Sequence, residues 1–331
     1  MGKFIVKRLL LCIVIFFFSM FMIYALIYNL PASYVEKTAR ELAAQTKGRI
    51  SYTELLDRMN EQYGMNKGVV GGYFTWLSNA LRGNFGDSWK WTIKCTDKFA
   101  AVIWNSFTLG LIAFIFEILI AIPLGVIAAR KQYSITDYTV TCVSLIGISL
   151  PTFFVATILK LVFAVNLQWF DISGMHSRDF IAHTASTWEN IGDIAKHFVL
   201  PAITLIIVSI GGLMRYTRTN MLEVLNADYI RTARAKGLSE GKVVGLHAFR
   251  NTLIPVVTML GGTLPGLFSG AMITETLFGI DGIGYVSYQS MVEGDIPFTM
   301  FYLSLMSVLT LLGNLISDIL YAVVDPRVRV N

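Results

Sequence analysis

Three basic side chains share a short, alanine-rich segment of the sequence, and this combination suits docking against another protein. They are Arg231, Arg234 and Lys236. Asn226 or Asp228 can cap a helix at its start, and Gly237 can end it in a left-handed turn. The helix between them has roughly two turns, so it is too short to cross a membrane or to be stable alone in water. We therefore expect it to dock, with small residues allowing close approach; an ordinary basic loop is the alternative.

Four ionisable residues lie in or beside apolar stretches. Placing a charge in lipid costs free energy, so each of these residues is a candidate for a functional role. They are Glu117, Lys160, Glu275 and Asp318. Lys160 and Asp318 lie near predicted helix ends, from which they can reach water, so a structural role is favoured. Glu275, between two threonines, suits a gate or a cap. Glu117 lies mid-helix, where an interhelical hydrogen bond or a place on a translocation path would explain a carboxyl group.

Glycine and proline interrupt a later apolar stretch. The sequence there contains Gly261-Gly262, then Pro265-Gly266 and Gly270. Glycines let helices approach closely, and a Pro-Gly pair breaks the hydrogen-bond ladder of a helix. Two compatible interpretations follow: dense packing at the centre of a bundle, and a gate at Gly262, Pro265 and Gly266 that flexes beside a pore.

No set of residues indicates catalysis or a metal site. His176, His183 and His197 fall between the third and fourth apolar stretches, but their spacings match no local zinc pattern, so solvated loop histidines are expected. The sequence carries neither Gly-x-x-x-x-Gly-Lys-Ser/Thr nor His-Glu-x-x-His. If ATP drives this protein, another chain binds the ATP.

The composition places these groups in a membrane protein. Of the 331 residues, 54% are apolar and 15% are charged, which is typical of membrane chains and not of soluble ones. A helix that crosses the roughly 30 Å hydrocarbon core needs about 20 apolar residues. Six runs approach that length: residues 9–30, 106–128, 138–165, 198–214, 253–274 and 299–323. The sequence therefore predicts an all-α membrane protein with six transmembrane helices.

Basic residues set the predicted orientation. Lysine and arginine are frequent before the first run, after the second, after the fourth and at the end of the chain, and they are scarce in the short segments between. By the positive-inside rule both termini are cytoplasmic. We divide the chain into a first helix (1–30), an extracytoplasmic region (31–98) and a core membrane domain (99–331), whose cytoplasmic loop covers 215–252. The net charge of +5 follows from this topology and does not indicate nucleic-acid binding.

The extracytoplasmic region has its own pattern. Residues 34–59 mix charged and apolar residues and predict two short amphipathic helices. The glycines of 68–72 predict flexibility, and the aromatic residues of 73–77 suit a membrane interface. The fourth apolar run could begin before Phe198, which would put Pro201 in the first turn of its helix.

The segment from Asp228 to Glu240 resembles the coupling loop of ABC-importer permeases of the dipeptide, oligopeptide and nickel class. It reads Asp-Tyr-Ile-Arg-Thr-Ala-Arg-Ala-Lys-Gly-Leu-Ser-Glu, with Arg231 where other branches carry Glu. Three further segments resemble motifs of B-type peptide permease subunits, in the expected order: residues 81–89, 279–284 and 321–329. The exit from the first helix departs from this family, since residues 29–33 stand where Pro-Gly-Asp-Pro is usual.

The resemblance implies the type I ABC-importer permease fold and a subunit that moves di- or oligopeptides across the bacterial cytoplasmic (inner) membrane. It also implies a second homologous permease, two cytoplasmic ABC ATPases and an extracytoplasmic solute-binding protein as partners. The ATPases would use ATP and Mg²⁺, and this chain would bind no cofactor and hold no catalytic residue. The residues implied in coupling to the ATPase are Asp228, Arg231, Ala233, Arg234, Gly237 and Leu238.

Other functions stay open from the sequence. A permease for nickel or another small solute would share these motifs. A secondary transporter would need no ATPase, but such folds are typically built from duplicated halves, and no internal repeat is visible. An intramembrane enzyme would need a catalytic pair at depth, and Glu117 has no evident partner in the sequence.

Overall fold

The computed structural model describes residues 2–29, 33–45, 50–178, 180 and 186–324. Within these ranges the regular structure is helical, and an isolated bridge joins Asp87 to Lys94. The all-α prediction is therefore confirmed for this part of the chain. Pro31, His183 and residues 325–329 of the motif at 321–329 lie outside the described residues.

Contacts divide the chain into two compact units. The first unit comprises residues 1–104 with 283–315, and the second comprises 105–282 with 316–331. In chain order the helices are α1 (Gly2–Tyr28), α2 (Ser33–Gln45), α3 (Tyr52–Tyr63), α4 (Gly68–Leu81), α5 (Cys95–Arg130), α6 (Ile135–Ser149), α7 (Thr152–Leu159, continued by a π-helix at Lys160–Asn166), α8 (Thr187–Leu225), α9 (Asp228–Ala235), α10 (Glu240–Lys242, continued by a π-helix at Val243–Ala248), α11 (Phe249–Ser269), α12 (Met272–Phe278), α13 (Ile283–Glu293) and α14 (Ile296–Val324).

Two short helices of the first unit, α2 and α3, confirm the amphipathic prediction for residues 34–59. At the start of α3 the hydroxyl of Ser51 accepts a hydrogen bond from the N–H of Glu54 at 3.2 Å. The helix ends at Gly64, which adopts the left-handed conformation with φ 66°. Ala39 of α2 and Met59 of α3 are buried in the same apolar cluster, so each helix covers the other's apolar face.

The glycine stretch at 68–72 is helical, so the prediction of flexibility there is wrong. These residues form the first turns of α4, and a Cβ placed on Gly72 would lie 2.6 Å from the carbonyl oxygen of Gly64. The aromatic residues that follow are also largely internal. Tyr73 and Trp76 are buried, and Tyr73 donates a hydrogen bond to the carbonyl of Phe17 at 2.9 Å. Packing against α1 therefore uses the aromatic surface that the sequence suggested for the membrane interface.

Four of the described helices are long and apolar enough to cross a membrane, namely α1, α5, α8 and α14. A fifth span results if α6 and α7 are taken together, although they bend by 101° at their junction. Pro151 explains the bend, because the residue before a proline is disfavoured in a helix. The helix α11 has 21 residues with two internal prolines and is not among these candidates. The structure thus supports a multi-pass membrane protein, while the six spans and the side of each terminus stay predictions.

The helix α8 begins well before the apolar run that predicted it. Ser186 caps it, and Ser186 and Glu189 exchange hydrogen bonds in a capping box. Pro201 therefore lies inside the helix and not in its first turn. Because proline has no backbone N–H, the helix lacks one hydrogen-bond donor at this position. The expected start before Phe198 is confirmed, but the prediction for Pro201 was wrong because the mostly polar residues 187–196 extend the helix by more than two turns.

The second unit is organised around α8. The helices α6, α7, α11 and α12 all pack on it. Its buried Phe198 and Leu200 share an apolar cluster with Leu109 of α5, and Leu213 and Met214 belong to a second cluster with residues of α5 and α11. The first cluster holds the N-terminal half of α8 and the second holds its C-terminal half, which the basic segment of the sequence follows.

Candidate functional site

The helix α9 has one buried apolar face. Ile230 and Ala233, three residues apart and therefore on one side of the helix, are both buried. They pack in a cluster whose other buried members are Ala129, Met221, Val243, Val244 and Ala248. Since Met221 belongs to α8 and Ala129 to α5, these contacts hold a helix that would be too short to be stable alone.

The opposite face of α9 is exposed and charged. The side chain of Asp228 is 97% exposed and that of Arg231 is 72% exposed, and their charged atoms lie 3.6 Å apart, which makes a weak surface pair. Arg234 Nε donates a hydrogen bond to Glu240 Oε1 at 2.7 Å. This hydrogen bond holds the pKa of the Glu240 carboxyl below its ordinary value. The face is a mixed-charge surface in contact with solvent.

A left-handed turn at Gly237 follows α9, as predicted. Its φ is 77°, and its N–H donates a hydrogen bond to the carbonyl of Arg234 at 2.9 Å. A Cβ placed on Gly237 would meet no heavy atom within 4 Å. Glycine is therefore required here for the backbone conformation and not for packing within this chain, and the space in front of the turn is open.

The predicted side-chain cap of α9 is wrong. The N-cap residue is Ala227, and it supplies no side-chain hydrogen bond to the N–H groups of the first turn. Asn226 instead ends the preceding helix, where its Nδ2 donates a hydrogen bond to the carbonyl of Leu222 at 3.0 Å. Asp228 is the first helical residue, so its carboxylate still favours the helix start through the macrodipole.

The six residues predicted to couple to an ATPase do not share one surface. Asp228, Arg231, Arg234 and Gly237 are exposed, whereas Ala233 is buried and Leu238 is half-buried beside the same apolar cluster. The small size of Ala233 therefore serves packing within this chain. Tyr229, Thr232, Ala235 and Lys236 are also exposed, and the coupling role of this segment stays a prediction.

Glu275 lies fully buried in the first turn of α12. Its Oε1 accepts hydrogen bonds from the hydroxyl of Ser106 at 2.7 Å and from the N–H of Ala271 at 2.8 Å. A Cβ placed on Gly282 would lie 2.5 Å from both Glu275 Oε2 and Ser106 Oγ. The carboxyl group ties the start of α12 to α5, an arrangement that suits a cap, and its role as a gate stays a prediction.

The other proposed gate residues lie on α11 and α5. Gly262 and Gly266 are exposed four residues apart, a Cβ at either would meet no heavy atom within 4 Å, and Pro265 between them is half-buried. The structure of this chain thus shows open space at both glycines and not dense packing. Glu117 is half-buried on α5, and Ser209 of α8 is its hydrogen-bonding neighbour, which agrees with an interhelical hydrogen bond.

Lys160 has a structural environment, as favoured from the sequence. Its Nζ donates a hydrogen bond to the carbonyl of Leu277 and lies 5.6 Å from the centre of the Phe278 ring. Both contacts attach the π-helical end of α7 to the end of α12.

Two of the predicted loop histidines have specific partners, and the expectation of solvated histidines is wrong for His197. Its side chain is 3% exposed, with Nδ1 2.8 Å from the carbonyl oxygen of Asp193 and Nε2 3.3 Å from Asp171 Oδ2. His176 Nδ1 lies 3.0 Å from Asp193 Oδ2. The i, i+4 spacing of Asp193 and His197 was the available sign of this arrangement. Among the described residues, no group of three or more His, Cys, Asp and Glu side chains is placed to hold a metal ion.

An ion pair that the sequence analysis missed connects α6 to α8. Arg218 Nε and Nη2 donate hydrogen bonds to Asp137 Oδ1 and Oδ2 at 2.6 and 2.8 Å. The Asp137 side chain is only 3% exposed, so the bidentate contact compensates a buried charge. The two residues are 81 positions apart, and no local pattern relates them.

A second missed polar group, Asp295, lies in the first unit. The carboxylate is buried and accepts hydrogen bonds from the Ser88 hydroxyl and from the N–H groups of Trp89 at 3.0 Å and Phe298 at 3.3 Å. Burial raises the pKa of Asp295 above its ordinary value, and the hydrogen bonds offset part of that rise. The group joins the segment before α5 to the start of α14.

Comparison with known proteins gives a consistent result. The sequence profile of the family described as "Binding-protein-dependent transport system inner membrane component" matches residues 121–330. The chain is 40% identical to the oligopeptide transport system permease protein AppB of Bacillus subtilis over 270 residues. The aligned region covers 81% of this chain and 83% of that protein. It is 33% identical to the oligopeptide transport system permease protein OppB of Haemophilus influenzae, over 99% of this chain and 100% of that protein. It is also 33% identical to the dipeptide transport system permease protein DppB of Escherichia coli K12, over 99% of each chain.

Proposed function

Because the chain belongs to the family of binding-protein-dependent transport system inner membrane components, we propose that it is a transmembrane subunit of an ATP-driven importer of di- or oligopeptides in the bacterial cytoplasmic membrane. The observation that carries this proposal is the similarity, over nearly the whole chain, to permeases named for oligopeptides and dipeptides. The long apolar helices agree with a location in a membrane.

The proposed importer contains further chains. A solute-binding protein delivers the peptide from outside, a second homologous permease completes the pathway, and two cytoplasmic ATPases bind ATP and Mg²⁺. This chain then has no ATPase site of its own. ATP biases the permeases between two states because the ATPases make different contacts with them in each state.

The contact with an ATPase is proposed to be the exposed face of α9 together with the turn at Gly237. Three observations support this assignment. The inner face of α9 is packed on Met221 of α8, so a displacement of α9 is passed to a long helix. The outer face carries exposed charges of both signs, which can pair with another protein. The turn has open space in front of it, so a partner can approach its backbone closely.

The solute path is proposed to run beside α11. Gly262 and Gly266 leave open space along one side of this helix, and Pro265 weakens its hydrogen-bond ladder, so this segment can bend between inward and outward states. Glu275 would fix the hinge at the outer end of this segment, and Glu117 would face the path from α5. The test for Glu117 is Glu117→Gln: unchanged transport and unchanged pH dependence of transport would remove Glu117 from the path.

The experiment that tests the proposed function is purification of the tagged chain in mild detergent, followed by mass spectrometry and an ATPase assay. We expect a second permease and two ATPases to copurify, with ATP hydrolysis stimulated by a peptide-loaded binding protein. Isolation of this chain alone, without ATPase activity but with solute uptake in proteoliposomes, would contradict the proposal and favour a secondary transporter.

A further inference from the structure

The helices α6 and α8 touch along part of their length and enclose a cavity along another part. A Cβ placed on Gly147 of α6 would lie 2.7 Å from the carbonyl oxygen of Ile207, so the two helices are in backbone contact there. Nearer the start of α6 and the end of α8 lies a cavity of about 310 Å³. Its lining consists of Val140, Thr141, Ser144, Leu145, Met214, Arg215, Arg218 and Thr219. We call this cavity the α6–α8 groove.

The charge of the α6–α8 groove is positive. Asp137 is neutralised by Arg218, and its Oδ2 also accepts a hydrogen bond from the N–H of Tyr133 at 2.9 Å. Arg218 uses Nε and Nη2 for this contact, so its Nη1 group is not part of the bidentate pair. In the part of the chain that the structure describes, no carboxylate contacts Arg215. The guanidinium of Arg215 therefore contributes an uncompensated positive charge and up to five N–H donors to the groove.

Hydroxyl groups in the lining add little donor capacity. Ser144 Oγ donates to the carbonyl of Val140 at 2.8 Å, and Thr219 Oγ1 donates to the carbonyl of Arg215 at 3.0 Å. The arginines are therefore the groups that would recognise a ligand. Guanidinium groups pair well with phosphate oxygens because two parallel N–H donors match two oxygens.

The position of Arg215 along α8 corresponds to a membrane boundary. It follows directly after the apolar run 198–214, and Arg218 lies about 4.5 Å further along the helix axis. A charged side chain at the end of an apolar span lies at the level of lipid headgroups. The groove wall next to it is apolar at Val140, Leu145 and Met214, and the exposed Tyr138, two turns before Leu145 on the same side of α6, extends this surface.

We propose that the α6–α8 groove binds an anionic phospholipid, with Arg215 holding the headgroup phosphate and the apolar wall of α6 contacting an acyl chain. Basic cavities between membrane helices are suited to anionic headgroups. Inorganic phosphate offers Arg215 the same phosphate oxygens as a lipid headgroup, but it would leave the apolar wall of the groove without a contact. A peptide carboxylate is a third anion that the experiment has to distinguish.

The test uses native mass spectrometry of the full chain, purified together with its copurifying subunits and incubated with palmitoyl-oleoyl phosphatidylglycerol or phosphatidylcholine. We expect phosphatidylglycerol to be retained preferentially, and its retention to fall about fivefold in Arg215→Gln, as expected for the loss of one basic contact at an anionic lipid. The matched control is Lys131→Gln, which removes the same charge from an exposed position in the turn before α6. Retention by this control should equal that of the wild type.

Three results would overturn the proposal. The first is equal retention of the two lipids by the wild-type protein, and the second is an equal loss of phosphatidylglycerol in Arg215→Gln and Lys131→Gln, which would indicate bulk attraction. The third is displacement of the lipid by an excess of inorganic phosphate or of a dipeptide, which would assign the groove to a free anion or to the solute path. None of these measurements requires uptake, so their failure is distinct from failure of the proposed function.

Discussion

At the scale of single residues, the buried carboxyl group of Asp295 makes stability depend on pH. Its pKa in the folded protein lies above the unfolded value near 3.8, so the folded state binds this proton more tightly. The stabilisation from the bound proton is complete below the unfolded pKa and is lost as pH rises through the folded pKa. We therefore expect the melting temperature of the wild type, relative to Asp295→Asn, to decrease as pH rises across that window.

The measurement is thermal unfolding of the detergent-solubilised protein over a series of pH values. Asp57→Asn on α3 is the control, because Asp57 is an exposed carboxylate. Its melting temperature should follow that of the wild type across the series. Parallel curves for Asp295→Asn and wild type would contradict the assignment of this pH dependence to Asp295.

Gly282 allows a second test at the residue scale. The Cβ of an alanine there would lie 2.5 Å from Glu275 Oε2 and Ser106 Oγ, so both buried partners would have to move. We expect Gly282→Ala to lower the free energy of unfolding by about 1–3 kcal/mol, the usual cost of overpacking. Gly192→Ala is the matched control, since Gly192 is exposed on α8 with no heavy atom within 4 Å of the added Cβ. Thermal unfolding of both variants would show equal stability if the close packing around Glu275 did not matter.

At the scale of elements, the two faces of α9 predict which positions a partner can touch. Thr232 is exposed and Ala233, the next residue, is buried. We expect a cysteine at Thr232→Cys to cross-link to a copurified ATPase, and a cysteine at Ala233→Cys not to do so. Both variants are made in the Cys142→Ser protein, because Cys142 is exposed and would itself react. Gel analysis after addition of a short bifunctional thiol–amine reagent measures the cross-linking. Equal cross-linking at both positions, or none at Thr232→Cys, would contradict the proposed docking face.

The same elements illustrate what local sequence patterns can predict. The bounds of α9 and the left-handed turn at Gly237 were predicted within a residue, because a run of helix formers ended by glycine determines both. A start of α8 before Phe198 was expected, but how far the helix extends was missed, since its first turns are mostly polar and only the capping box of Ser186 and Glu189 marks them. The helical state of residues 68–72 was missed because it depends on packing. Gly72 lies against Gly64, and helix propensity, which is a property of each residue alone, does not take such a contact into account.

At the scale of the whole molecule, composition alone predicted an all-helical membrane protein, because apolar runs of membrane length are a property of the sequence. The contacts that organise the interior were not predictable in this way. Arg218 and Asp137 pair across 81 positions, and Asp295 bonds to Ser88 across 207. Pairing of this kind depends on how the helices pack against one another. No periodic pattern in a single sequence indicates which distant residues form such a pair. The face of Ala233 was assigned outward from its size, whereas its burial follows from the cluster beneath α9.

The central claim is that α9 and the turn at Gly237 couple ATP hydrolysis in a partner to movement of peptide through this chain. The most direct measurement is simultaneous peptide uptake and ATP hydrolysis by the assembled importer in proteoliposomes, for wild type, Gly237→Asp and Gly241→Asp. Gly241 is also exposed, with open space at its Cβ, and it lacks the positive φ of Gly237, so it is a control for the added charge.

For Gly237→Asp we predict normal insertion into the membrane and a loss of peptide uptake of at least about tenfold, which corresponds to about 1.4 kcal/mol of coupling free energy. ATP hydrolysis in this variant should no longer respond to the peptide-loaded binding protein, whereas Gly241→Asp should behave as the wild type. Normal uptake with normally stimulated hydrolysis by Gly237→Asp would contradict the account.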